Sequence, residues 1–134
     1  MTTEDKKAYL QTYKASVTCI KRHMDYISIV EDFRAGCEKS RQWLHNPQVM
    51  QELTDQIQKL DAYKAEYQKV IEDKIKVCDQ VSTSIKSVPD ERDQMILSYR
   101  YIDGMTWEQI AEHMIYGVAY VQRLHKTALS HLEL

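Results

Sequence analysis

The stretch between Met50 and Val88 limits the fold more than any other. Met50, Leu53, Ile57, Leu60, Lys64, Tyr67, Ile71, Lys74, Cys78, Val81, Ile85 and Val88 follow one another at alternating steps of three and four. Ten of these twelve positions are apolar, a heptad-like seam sustained over more than five repeats. A strand alternates with period two and cannot carry this pattern. The segment must be a long helix with one face against a partner. Lys64 and Lys74 interrupt the seam, but their alkyl stems can cover apolar surface while the ammonium reaches water. Asn46-Pro47 supplies the start: a capping oxygen, then a proline whose missing N–H is not needed in a first turn. A helix is expected from about residue 47 to about residue 86.

A second stripe precedes it. Leu10, Tyr13, Val17, Ile20, Met24 and Ile27 keep one phase, which then slips through Val30, Phe33, Cys37 and Leu44. The slip implies a bend or a local change of supercoil near Gly36. Two long helices joined by a short link at residues 45–47 should fold back as an antiparallel hairpin. Three glycines and two prolines among 134 residues leave few places to turn, which favours an all-α fold. The seam can stay inside the hairpin or pair with another copy. Self-association is the favoured reading, so a homo-oligomer is expected.

Charge and composition exclude several classes. No apolar run approaches the roughly 20 residues of a membrane span, and the charged start MTTEDKKAYLQ does not resemble a signal peptide. A cytoplasmic protein with no membrane partner is expected. Cys19, Cys37 and Cys78 are odd in number and widely spaced, which reads as packed, reduced thiols. The five histidines have no metal-ligand or catalytic spacing, and there is no glycine-rich phosphate loop. No enzyme, metal or cofactor is expected.

Pro89 opens a different region. "SVPDERDQMILSYRYIDG" reads as a helix with Pro89 at its first position, Asp90, Glu91 and Asp93 near the positive end of its dipole, and Gly104 as a left-handed cap. The boundaries expected are therefore a hairpin over residues 1–88 and a three-helix helix-turn-helix domain over residues 89–134. Thr106 and Gln109 form a capping box, and Met105 with Ile110 has the spacing of a hydrophobic staple. A helix over about residues 107–114 follows. Ile110, Ala111, Met114, Tyr116, Val121 and Leu124 occupy the positions at which a helix-turn-helix packs its two helices. Ile115 falls where such a turn favours glycine. A β-branched residue at positive φ is disfavoured by about 1–2 kcal/mol, so Gly117 is expected to take the unusual dihedral instead.

"ERDQMILSYRYIDGMTWEQIAEHM…YVQRLHKTAL" resembles region 4 of bacterial sigma factors. It is more similar still to small sigma-like proteins of phages and prophages, which place a helical half before one such domain. Leu97, Tyr99, Arg100, Tyr101, Gly104, Thr106, Trp107, Ile110, Ala111, Val121, Arg123, His125, Lys126, Ala128 and Leu129 carry the likeness. The resemblance implies a DNA-binding transcriptional regulator in a bacterial host, acting on double-stranded DNA with RNA polymerase as a further partner. Nothing resembles the promoter-melting region of a full sigma factor.

On the second helix of the motif, Val118 and Ala119 can offer a base only apolar contact. Tyr120, Gln122, Arg123 and Lys126 remain on the expected outer face. Gln122 suits adenine, Arg123 guanine and Lys126 a phosphate, with Arg100 and Arg92 as backbone contacts from the preceding helix. Residues 90–134 carry 4 Lys/Arg against 7 Asp/Glu, a poor balance for DNA binding. Yet no acid lies between Glu112 and Glu133. The acidic first helices support a rival reading: a protein-interaction module that binds RNA polymerase or a repressor and barely touches DNA.

Overall fold

The computed structural model describes residues 1–134, and every regular element is a helix. The order is α1 (Thr3–Trp43), α2 (Pro47–Lys86), α3 (Glu91–Leu97) continued by a π-helical turn (Ser98–Ile102), α4 (Trp107–Met114) and α5 (Val118–His131). The long hairpin followed by a short helical domain is the architecture the periodicity predicts. No helix is long and apolar enough to cross a membrane.

Local chemistry sets the ends. Asn46 Oδ1 accepts from the N–H groups of Gln48 (2.9 Å) and Val49 (3.3 Å), so α2 starts at Pro47 as its cap requires. α1 runs unbroken through Gly36, where an added Cβ would meet nothing within 4 Å. All twelve seam positions, eleven on α2 and Val88 just beyond it, are buried or half-buried.

The chain divides into two compact units: Met1–Val17 with Ile75–Leu134, and Thr18–Lys74. The core of the first joins Leu10 of α1, Val81, Ile85 and Val88, Leu97, Tyr101, Ala128, Leu129 and Leu132. Lys6 Nζ donates to the Leu129 carbonyl (2.9 Å), and the Tyr9 hydroxyl meets Ser84 Oγ (3.0 Å). The buried Asp93 pairs its Oδ2 with His131 Nδ1 at 2.6 Å, clasping α3 to α5.

The second unit is a pair of antiparallel helical segments. Arg34 Nε pairs with Asp61 (2.7 Å) and Lys64 Nζ with Glu31 (3.0 Å). His23, Tyr26 and Tyr67 pack their rings at 5.2–5.8 Å between centroids. Only Val30 and Ile57 are buried apolar side chains here. All three cysteines of the chain are free thiols, half-buried.

Two local expectations need correction. Pro89 is not the first residue of α3. It stands outside, and Asp90 caps the helix by accepting from the N–H groups of Arg92 (2.8 Å) and Asp93 (3.3 Å). A carboxylate cap satisfies two free donors, which a proline at that point could not. The second correction is the turn between α4 and α5, where Ile115 has φ 59° and ψ 46° while Gly117 is extended at φ −76°. The reason is hydrogen bonding. With Ile115 left-handed, its N–H reaches the Glu112 carbonyl (3.3 Å) and the Tyr116 N–H reaches Ala111 (2.9 Å). That pair is a Schellman motif, and it satisfies two carbonyls the helix end would otherwise leave open. Gly117 is then free to cap α5 in the extended conformation, although it has no side-chain oxygen to accept from the first N–H groups.

Candidate nucleic-acid interface

The capping box aims α4. Gln109 N–H donates to Thr106 Oγ1 (3.1 Å), and Thr106 N–H donates to Gln109 Oε1 (2.9 Å). Gly104, at φ +71°, makes the turn before it. Ile110, Ala111 and Val121 are buried together, with Tyr99, Met105, Trp107, Met114 and Val118 partly buried around them. Val121, Leu124, His125, Ala128 and Leu129 hold the inner face of α5. The outer face is left with Ala119, Tyr120, Gln122, Arg123, Lys126, Thr127 and Ser130. Four of the six residues assigned to DNA from the sequence thus stand exposed on α5: Tyr120, Gln122, Arg123 and Lys126.

Their geometry differs from isolated solvated side chains. The Arg123 guanidinium carbon lies 5.7 Å from the centre of the Tyr120 ring, within cation–π range. Tyr116 meets Tyr120 edge-to-face at 5.0 Å. The Tyr116 phenol is the main influence holding the exposed Arg92 guanidinium above its usual pKa. An aromatic and basic row therefore runs from Tyr116 through Tyr120 to Arg123.

Arg100 comes from the π-helical turn and not from α5, and it is half-buried. Its Nη1 donates to the Met105 carbonyl (3.0 Å), and its guanidinium carbon lies 4.2 Å over the Trp107 ring. It braces the turn that leads into α4. Behind it, the Tyr101 hydroxyl meets His125 Nε2 at 2.8 Å, both residues buried. Burial, with help from Lys7 and Arg100, lowers the His125 pKa to about 4, so the ring is neutral at neutral pH. Burial likewise raises Tyr101 to about 12. The pair ties α5 to the π-helical turn, and the His125 side of it also lines the cleft described next.

The sequence missed one part of the surface. Gln122 and Lys126 line a cleft of about 520 Å³ together with Trp107, Thr3, Glu4 and Lys7. The last three come from the first turns of α1. The nearby Lys6–Leu129 bond joins residues 123 apart, and no local pattern could announce such a contact.

An exposed second helix set across a capped first helix is the arrangement of a helix-turn-helix. Residues 90–133 match the family model described as Sigma-70, region 4. The C-terminal part of the chain is therefore a sigma region 4-like helix-turn-helix. No curated protein and no solved structure matches the chain.

Proposed function

We propose that the chain is a DNA-binding transcriptional regulator of the phage type, which places α5 in the major groove at a promoter and works beside RNA polymerase in a bacterial host. One observation carries this reading: the exposed face of α5 holds Tyr120, Gln122, Arg123 and Lys126 and no acid. Gln122 and Arg123 have the donor sets that pair with adenine and guanine edges. Tyr120 restrains Arg123, so less freedom is lost when the guanidinium forks onto a base. Lys126 contacts phosphate without regard to sequence. The phage assignment rests on layout, a helical hairpin before one region 4-like domain.

A titration of the full chain on DNA flanking its own gene tests this. With about 3–5 phosphates neutralised per domain, log K should fall against log salt with a slope of about −3 to −5. Arg123→Ala should cost about 1–3 kcal/mol and relax preference at one base position. A wild type that binds no DNA at about 50 mM salt, where screening is weak, would sink the reading. The alternative, a module for RNA polymerase or a repressor, is favoured by one feature. Glu91, Glu108 and Glu112 are exposed on α3 and α4 beside Met95 and Ile115.

The hairpin supplies self-association in this reading. The α2 seam already faces α1, so the contact surface is on α1. Tyr26, Ile29 and Phe33, three and four residues apart, share one face and stay 39%, 53% and 67% exposed. Light scattering should find more than a monomer, and Phe33→Asp should return it to one. A monomeric wild type would remove this part of the proposal.

A further inference from the structure

We propose that the first turns of α1 form a second wall of the DNA-contacting surface, with Lys7 engaging a backbone phosphate beside Lys126. This rests on the DNA-binding reading of α5. It adds a contact that lies outside the helix-turn-helix altogether.

The wall is fixed in place. Lys6 Nζ is bonded to the Leu129 carbonyl at 2.9 Å, and Leu10 is fully buried in the core that contains Leu129. The first turns of α1 therefore stand beside α5 as a built feature. The cleft between them has one lysine on each side, Lys7 and Lys126, with the Thr3 hydroxyl and the Gln122 amide as further hydrogen-bonding groups. Gln122 and Lys126 belong both to this cleft and to the exposed face of α5, so the two surfaces are continuous.

Charge selects the occupant. Duplex DNA carries one negative charge per roughly 1.7 Å of axis, and two lysines converging on a cleft of about 520 Å³ suit one phosphodiester of that row. Glu4 now holds the place. Its Oε1 pairs with Lys7 Nζ at 3.3 Å, but its side chain is 82% exposed. An exposed pair of this kind is weak and gives way to a phosphate held on two sides. Glu4 is thus a local competitor for Lys7, and its removal should help DNA.

Anisotropy titrations of the full chain on the DNA flanking its gene test the proposal. Lys7→Ala should weaken binding by roughly three- to tenfold for all sequences alike and reduce the salt slope by about 1. Glu4→Gln should tighten binding by roughly two- to fivefold at about 50 mM salt, and the gain should fade as salt rises. Lys69→Ala, an exposed lysine paired with Asp73 on the second unit, is the control and should change nothing. Circular dichroism checks that each variant keeps the wild-type helix content. If Lys7→Ala and Glu4→Gln bind like wild type while Arg123→Ala loses affinity, the α1 wall falls and the α5 reading stands. Tighter binding by Lys7→Ala, or equal losses in Lys7→Ala and Lys69→Ala, also overturns the wall. No binding by the wild type overturns both.

Discussion

The α2 seam meets two fates. In the unit formed by Met1–Val17 and Ile75–Leu134, the seam passes from the half-buried Cys78 to Val81, Ile85 and Val88, which are at most 2% exposed. In Thr18–Lys74, Ile57 is buried and the other seam residues are only half-buried. The pattern of residues is the same, so the difference lies in what covers them. The first unit brings Leu97, Tyr101, Ala128, Leu129 and Leu132 against the seam, as well as Leu10 of α1. The second has only one helix to offer. Two thin helices enclose little, and solvent-screened ion pairs such as Arg34–Asp61 add little to them. A heptad pattern states which face turns inward, and the layers around it decide how deep that face lies.

The largest effect expected from this contrast is in core truncation. Ile85→Ala removes a side chain that is 1% exposed inside the dense core and should cost about 2–5 kcal/mol. Ile71→Ala, at an equivalent seam position but half-buried, should cost no more than about 1–1.5 kcal/mol, since less area leaves contact. Urea midpoints read both. Equal costs would mean that the two stretches of seam are packed to the same depth, against the burial observed.

Acid should strike the dense unit through His125. Its pKa is lowered to about 4 in the fold, against 6.5 for the free side chain. The unfolded chain therefore binds the proton more readily, so stability is full above about pH 6.5 and falls as pH drops toward 4. The loss reaches about 3 kcal/mol at the acid end. Melting temperatures between pH 7 and 4.5 should show the slope. His125→Gln, which keeps a partner for the Tyr101 hydroxyl, should flatten it. An unchanged slope in that variant would assign the acid sensitivity to other groups.

What the sequence made legible follows the same division. The bounds of α2, the capping box of α4, the left-handed Gly104 and the inward face of the seam all come from signals within a few residues of one another. So does the exposed set Tyr120, Gln122, Arg123 and Lys126, because once α5 is placed its faces follow from period 3.6. The partners of Arg100, the Met105 carbonyl and the Trp107 ring, are not legible in this way, because they depend on how the chain turns at Gly104. The α1 side of the cleft was invisible for a stronger reason. The contact between the first turns of α1 and α5 arises from packing around Leu10 and Leu129, and neither segment encodes the other.

The smallest effect concerns strain, and it too belongs to the dense unit. Ile115 is the only non-glycine residue with positive φ, and its side chain is 90% exposed. The αL conformation costs a β-branched residue about 1–2 kcal/mol, while the exposed side chain gains little from packing in return. Its compensation is the pair of backbone bonds to Glu112 and Ala111, which any residue in that conformation can make. Ile115→Gly keeps both bonds and relieves the strain. Against this, glycine gives the unfolded chain more freedom, which offsets about 0.5–1 kcal/mol. The net gain should be about 0.5–1 kcal/mol. Gly104→Ala at the other left-handed turn has the opposite sign, because there the Cβ meets no clash with neighbours but the φ of +71° still penalises it. Paired denaturation curves for the two variants settle the matter. A loss of stability in Ile115→Gly would mean that the isoleucine side chain makes a contact of its own in solution, and self-association or DNA would then be the places to look for it.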